Sequence, residues 1–238
     1  MNQDLRNKLT AVVEELDSEL RSIGERGSVL LLDAGAGSPR DLIEDRSKAT
    51  EVRASACWFA GRLRLADATS AMVGALEDEH LAVRVAAAEA LGHMGGSATV
   101  QPLIHAMHDT TDVAVRVASV YALGMIGDQR AVDPLISLLG DTNEHPQARG
   151  MAAEKLGEFG DGRVIDPLRA ALQDPSAEVR FWAAFALGEL GDPRALGDLE
   201  HLAATDRSKL PGWGMVGEEA AAAIESIKLR ECAAPDPT

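Results

Sequence analysis

The sequence contains few aromatic residues: three Trp, one Tyr and four Phe among 238 residues. The apolar residues, 46% of the chain, are therefore mainly Ala, Leu and Val. Ala and Leu are strong helix formers. A core made largely of Ala requires its elements to approach one another closely, so the composition predicts tightly packed helices.

Basic residues are also scarce relative to acidic ones, since 23 Lys and Arg face 38 Asp and Glu for a net charge of −15. A field of this sign repels phosphate backbones and anionic lipids, which argues against nucleic acid or a membrane surface as a partner. The apolar runs are too short to span a bilayer. The polar start of the chain, Met1–Asp4, does not resemble a secretory signal. We therefore expect a soluble, cytoplasmic protein.

Cysteine is limited to Cys57 and Cys232, which do not form a disulfide framework and fit a reducing compartment. Cys57 occupies a position that is Ala in the other copies of the repeat described next, so we expect a small buried apolar residue. Cys232 lies in the tail with no base near it in sequence, which makes a catalytic thiol improbable. Neither cysteine indicates chemistry.

A repeat of about 32 residues organises the chain. The segment that begins Val83-Arg84 and ends at Gly95 recurs from Val115 and from Val179, and diverged copies begin at Val52 and Ala148. The repeated arginines are separated by 31, 32, 33 and 31 residues: Arg53, Arg84, Arg116, Arg149 and Arg180. A period that holds over five copies predicts a stack of similar supersecondary units.

Each unit reads as helix, turn, helix, turn. A proline, such as Pro134, suits the first turn of the first helix. A pair of glycines, such as Gly124 and Gly127, is expected to end the second helix. The aspartate before each repeated arginine, such as Asp78 before Arg84, is expected to tie the turn to the second helix by charge-assisted hydrogen bonds. The same spacing pairs Arg116 with Asp109 and Arg180 with Asp174.

This pattern predicts an all-α solenoid, a superhelical stack of about six helix pairs with the second helices on the concave side. The signature Asp…Val-Arg-x-x-Ala-Ala-x-Ala-Leu-Gly-x-Ile/Leu-Gly resembles the HEAT-like repeats of the phycobiliprotein lyase (PBS lyase) type, clearly over residues 50–195. Residues 1–27 are expected to form a capping helix, residues 28–230 the solenoid and residues 231–238 a disordered tail. Residues 28–49 read as irregular.

A helical wheel of the second helix places one arc in the core and a second arc on the open side. We predict that the open-side positions form a protein-binding surface. Its residues are Trp58, Arg62, Glu89, His93, Tyr121, Met125, Met151, Glu154, Glu158, Phe181, Trp182, Phe185 and Glu189. Exposed aromatic and Met clusters mark interaction sites. The alternative is that neighbouring repeats bury these rings. The carboxylates on this surface outnumber Arg62 and would suit a basic partner segment.

Catalytic, cofactor and metal sites find little support. The spacing of His105 and His108, or of Glu89 and His93, could serve a metal, but neither pair has a third ligand nearby in sequence. Deoxyhypusine hydroxylase shares the repeat class and binds iron with His-Glu pairs, yet no His-Glu dipeptide occurs here. We expect no cofactor and no enzyme activity. The sequence thus favours a scaffold or adaptor that binds a protein or peptide on the concave face.

The resemblance implies one enzymatic alternative, a subunit of a phycobilin-lyase-like chromophore-attachment factor. In that case the aromatic surface would stack a tetrapyrrole. The sequence leaves both the partner and the oligomeric state open.

Overall fold

The structure is a computed structural model that describes residues 26–27, 29, 31, 37–109 and 111–233. The chain divides into two compact units after Ile126. Within the described ranges from Pro39 onward, twelve α-helices alternate as the first and second helices of six pairs, three in each unit. The predicted all-α solenoid class with about six helix pairs is confirmed.

The first unit contains α1 to α6 and the second unit α7 to α12. The helices of the first unit are α1 (Pro39–Glu44), α2 (Thr50–Arg62), α3 (Thr69–Ala75), α4 (Leu81–Met94), α5 (Ser97–Ala106) and α6 (Val113–Ile126). Those of the second are α7 (Val132–Gly140), α8 (Pro146–Glu158), α9 (Ile165–Ala171), α10 (Ala177–Leu190), α11 (Leu196–Thr205) and α12 (Val216–Ala233). A two-stranded antiparallel hairpin, β1 (Lys209–Leu210) and β2 (Gly214–Met215), joins α11 to α12.

Consecutive second helices pack side by side through a glycine on one and an alanine on the next. A Cβ on Gly61 of α2 would lie 2.6 Å from Cα of Ala90 in α4. A Cβ on Gly157 of α8 would lie 2.9 Å from Cβ of Ala186 in α10. Real Cβ atoms do not approach so closely, and glycine is the residue that lets two backbones approach closely. The Ala-rich core therefore reflects close helix packing, as the composition predicts.

This packing corrects the role expected for half of the repeated glycines. Gly92 and Gly188, like Gly61 and Gly157, lie inside second helices rather than at their ends. The glycines that end these helices come three residues later and have positive φ: 67° at Gly95 and 71° at Gly191. The sequence shows two glycines in each copy, and only the second acts as a helix stop.

In the second unit each first helix begins at a capping aspartate. The side chains of Asp128, Asp161 and Asp192 accept hydrogen bonds from backbone N–H groups two residues ahead and start short 3-10 turns that lead into α7, α9 and α11. In the first unit α5 has no such turn and begins at Ser97, so Pro102 lies inside that helix rather than in its first turn.

The repeated arginines join each turn to two copies of the repeat. Nη1 of Arg84 donates to the backbone carbonyl of Asp78 at 2.8 Å, and Nη1 of Arg180 donates to that of Asp174 at 2.7 Å. The expected pairing within a repeat is therefore confirmed. The carboxylate, however, accepts from the preceding copy, since Nη2 of Arg149 lies 2.9 Å from Oδ1 of Asp174. Arginine and aspartate thus fasten successive pairs together, a structural role.

The ends of the fold differ from the expected boundaries. Residues 28–49 are not irregular throughout, because α1 lies within them and begins with a reciprocal capping box between Ser38 and Asp41. The expected tail from residue 231 is wrong at its start, since α12 continues to Ala233. The capping helix predicted for residues 1–27 lies outside the described residues except at 26–27, as does the tail beyond residue 233.

Candidate functional site

The predicted binding residues lie on five second helices, three in the first unit and two in the second. In the first unit, Trp58 of α2 is half-buried and packs edge-to-face against Phe59, with ring centroids 4.8 Å apart. The guanidinium of Arg62 stands 5.9 Å from the centroid of the Trp58 ring. This distance is within the range of a cation–π interaction. Arg62 and Trp58 therefore already use part of their binding capacity on each other.

His93 of α4 lies near two cations of the first unit. Partial burial lowers the pKa of its imidazole, and the positive charges of Arg62 and Arg64 lower it further. Glu89, one turn earlier on α4, is exposed by surface area, yet packed neighbours desolvate its carboxyl and raise its pKa. The histidine is thus held neutral at physiological pH, and the two side chains do not form an ion pair in the structure.

On α6, Tyr121 and Met125 are each 40% exposed, as large apolar side chains on a free surface should be. Met125 also lies beside the tight contact between α4 and α6, because its sulfur would be 3.6 Å from a Cβ on Gly92. The open side of α6 in the first unit therefore presents an aromatic ring and a flexible thioether to solvent.

In the second unit, Phe181 corrects the helical-wheel prediction. Its side chain is only 4% exposed, so it belongs to the core and not to the open surface. The helix that carries it, α10, lies between α8 and α12 and also contacts β1. A wheel of one helix cannot show which of its lateral positions such neighbours cover, and the alternative of burial by neighbouring repeats holds for this residue.

The other two rings of α10 belong to an aromatic cluster that is open to solvent. Trp182 is half-buried, and its ring packs edge-to-face against Phe185 with centroids 5.7 Å apart. Phe185 is 37% exposed. On its other side, Trp182 meets Trp213 with centroids 4.8 Å apart and planes at 70°. We call Trp182, Phe185 and Trp213 the aromatic corner.

Sequence reasoning missed Trp213, which is 64% exposed and lies just before β2 of the hairpin. The hairpin replaces the short connection found between the helices of other pairs. Gly212 and Gly214 adopt φ values of 86° and 133°, which favour glycine, and so allow the chain to reverse there. The signal was present as a Pro-Gly-Trp-Gly sequence, Pro211–Gly214, inside an unusually long loop.

The acidic residues of the predicted surface are less free than the sequence indicates. Lys155 of α8, which is buried, binds Glu154 at 3.0 Å and Glu158 at 2.8 Å. Arg230 of α12 donates to the backbone carbonyl of Glu189. The count of carboxylates against Arg62 alone therefore overstates the negative charge of this surface. Met151 is half-buried on α8 and adds apolar area beside these groups.

Away from the second helices, the first unit contains a cleft of about 950 Å³ between α3 and α5. Its floor is apolar, with Val73, Leu76 and Pro102, and its rim includes His105 and His108. Among the described residues no three His, Cys, Asp or Glu side chains are grouped as a metal site would require. Burial raises the pKa of the Cys57 thiol to about 12. In the described part of the chain, no helix is long and apolar enough to cross a bilayer.

The comparisons with known proteins agree with this architecture. A search of curated proteins found no match. A chain from the complex of CpcE and CpcF of phycocyanin lyase from Nostoc sp. PCC7120 is 28% identical, with 71% of each chain covered and a TM-score of 0.57. The Escherichia coli protein YibA is 20% identical over 96% of this chain and 93% of its own, with a TM-score of 0.55, a likeness of fold alone.

The family comparison agrees with the repeat found in the sequence. The model for HEAT repeats matches residues 40–116, 95–146 and 142–210. The similarity to a phycocyanin lyase chain is consistent with the predicted PBS lyase type of repeat. Since the three matches together span more than half of the sequence, the chain belongs to the HEAT repeat family.

Proposed function

We propose that this chain is an interaction module that binds a protein or peptide on the open side of its second helices. The observation that carries the proposal is the aromatic corner. Trp213 and Phe185 keep large fractions of their rings in water although the fold offers a core in which rings such as Phe59 and Phe181 are buried. Exposed Trp and Phe side chains dominate the energetics of protein interfaces.

The predicted residues divide into groups that support this proposal to different degrees. Tyr121 and Met125 in the first unit, and Trp182 and Phe185 in the second, retain exposed surface and are proposed contacts. Phe181 is removed from the set because it is buried. The remaining polar residues are proposed to border the bound segment: Arg62, Glu89, His93, Glu154, Glu158 and Glu189. Trp58 and Met151 are proposed to supply half-buried apolar area.

The test compares proteins retained from the native lysate by the wild type and by a Trp182→Ala/Phe185→Ala variant, quantified by mass spectrometry. A Leu229→Ala variant is the matched control, because Leu229 is a large apolar side chain, 71% exposed on α12, away from the aromatic corner. We expect a protein that the wild type and the control retain but the double variant loses, while circular dichroism shows three folded proteins. Equal retention by all three would refute the proposal.

The similarity to a chain of the CpcE and CpcF complex of phycocyanin lyase supports a second candidate, a subunit of a chromophore-attachment factor. In this role the aromatic corner would stack a tetrapyrrole, and a second protein chain would complete the assembly. Incubation with a bilin, followed by absorption spectra of wild type and Trp213→Ala, separates the two candidates. A shifted, Trp213-dependent bilin spectrum favours this second role, and an unchanged spectrum removes it.

A further inference from the structure

The surroundings of the aromatic corner indicate which side chain of a partner it receives. Trp213 has most of its surface in solvent, and Trp182 supports it edge-to-face at a centroid distance of 4.8 Å. A supported indole with an open surface offers a π-system to a flat or cationic group. In the described part of the chain the one cation placed over an aromatic ring is Arg62 at Trp58, so the open rings of the aromatic corner carry none.

A carboxylate lies beside the corner without a partner of its own. Glu178 is half-buried in the first turn of α10, one turn before Trp182 on the same side of the helix. Both side chains reach over Gly150 of α8, since a Cβ there would lie 3.1 Å from Cδ1 of Trp182 and 3.2 Å from Cγ of Glu178. Among the described residues no hydrogen-bond or ion-pair partner of the Glu178 carboxylate is found.

The absence of a side chain at residue 150 is part of this arrangement. In other copies the equivalent position holds Ala54, Val85, Val117 or Phe181. Gly150 has φ in the ordinary helical range, so neither a turn nor strain accounts for the glycine. It leaves the space over α8 that the indole of Trp182 and the stem of Glu178 occupy, and so keeps a ring and a carboxylate next to each other.

We infer that Trp213, Trp182 and Glu178 form a receptor for one arginine side chain of the bound protein segment. The guanidinium is planar and weakly hydrated, so it stacks on an indole while its N–H groups donate to a carboxylate in bidentate geometry. Lysine is a compact, strongly hydrated charge that fits this combination less well. The inference rests on the proposed function and adds the chemistry of the partner at one subsite.

The probe is a library of random 12-residue peptides displayed on phage, selected on the immobilised full-length chain and counter-selected on the Trp182→Ala/Phe185→Ala variant. We expect the enriched peptides to share one arginine. For a synthetic enriched peptide, replacing that arginine by citrulline, its neutral isostere, is expected to weaken binding about tenfold, the scale of one charge-assisted contact. Replacement by lysine is expected to weaken binding several-fold.

The variants Glu178→Gln and Glu51→Gln then locate the contact. Both glutamates are the second residue of a second helix, α10 and α2, so each substitution removes one charge from an equivalent place. We expect Glu178→Gln to weaken the arginine peptide about tenfold and leave the citrulline peptide unchanged, while Glu51→Gln changes neither. An equal effect on both peptides would show that Glu178 supports the fold and does not receive arginine.

The outcomes separate this inference from the proposed function. Enriched peptides without arginine, still dependent on Trp182 and Phe185, would overturn the arginine receptor and leave the interaction module standing. No enrichment over the double variant would contradict both. Arginine peptides that bind equally to wild type and Trp213→Ala would also overturn the receptor, because the open indole would then take no part.

Discussion

Arg53 of α2 and Asp78, which follows α3, form a buried ion pair between successive helix pairs, with Nη2 2.5 Å from Oδ2. Their side chains are 4% and 1% exposed. Nε of the same arginine donates to the backbone carbonyl of Ile43 at 3.1 Å, so one side chain links α1, α2 and the turn after α3. The same relation recurs 25 residues apart between Arg84 and Asp109 and between Arg149 and Asp174.

Removal of one partner of this pair should be costly. We expect Arg53→Met to lower the free energy of unfolding by about 3–5 kcal/mol, because it leaves the Asp78 charge buried without compensation. The matched control is Arg163→Met, which breaks an ion pair with Asp133 between side chains that are both more than half exposed. That loss should stay within about 1 kcal/mol. Urea unfolding followed by circular dichroism measures both, and equal losses would contradict the structural role of the buried pair.

The same pair predicts how stability depends on pH. Burial alone raises the pKa of the Asp78 carboxyl, but hydrogen bonds from Arg53 and from the backbone of His80, with the charge of Arg53, outweigh it and lower the pKa to about 2. A folded-state pKa below the unfolded value of 3.8 stabilises the fold above about pH 4, by about 2 kcal/mol. This contribution is lost as the pH falls from about 4 towards 2.

The variant Arg53→Met provides the control for that prediction. Without the guanidinium the effect of burial dominates, so the pKa of Asp78 should rise above its ordinary value. The difference in stability between wild type and variant should then shrink as the pH falls from 5 to 2, because protonation removes the uncompensated charge. A difference that stays constant over this range in urea unfolding experiments would show that Asp78 does not sense the arginine.

The close approach of second helices predicts opposite effects at two glycines. Gly61→Ala should destabilise the fold by about 1–3 kcal/mol, because its Cβ would overlap the backbone of Ala90 at 2.6–2.7 Å. Gly74→Ala, in helix α3 with nothing within 4 Å of the new Cβ, should be neutral or stabilise by up to about 1 kcal/mol. Thermal unfolding of the two variants checks the difference, and a stable Gly61→Ala protein would disprove the tight contact.

The two thiols should differ in reactivity. Cys57 is fully buried in α2 with its pKa raised to about 12, so its thiolate is scarce at pH 8, while Cys232 is exposed on α12. We expect Ellman's reagent to label one thiol per native chain and two in 8 M urea. Cys232→Ser should reduce the native count to zero. Labelling of that variant without denaturant would show that the interior around Cys57 opens readily.

Most of the architecture was predictable because it is periodic. Arg53, Arg84, Arg149 and Arg180 recur at steps that fix one helix pair per period, and the aspartate in each turn follows from the same steps. The pairing of the carboxylate with the preceding copy was not visible, because it depends on how pairs stack. The role of Gly61 or Gly92 was missed for the same reason, since both contact the next second helix and not their own turn.

The candidate surface was predictable only in outline. The wheel places Phe181 and Trp182 side by side on the open arc, yet one ring is buried and the other partly exposed, because α8, α12 and β1 cover α10 unequally. Trp213 could not be found by a repeat-based argument at all, since it lies in an insertion without counterpart in other copies. The partner of the candidate site, Trp182, was identified from the sequence, and the hairpin that completes the site was not.

Phe181 and Trp213 therefore provide the clearest test of which rings belong to the core and which to the surface. Phe181→Ala should lower the free energy of unfolding by about 3–5 kcal/mol, because it removes a buried ring and leaves a cavity beside α10. Trp213→Ala removes a larger ring, yet the cost should stay below about 1 kcal/mol because most of that ring is in water in the folded chain. Urea unfolding by far-ultraviolet circular dichroism measures both without relying on tryptophan emission. If Trp213→Ala proved as destabilising as Phe181→Ala, the hairpin would be part of the core, and its ring would no longer support a binding surface.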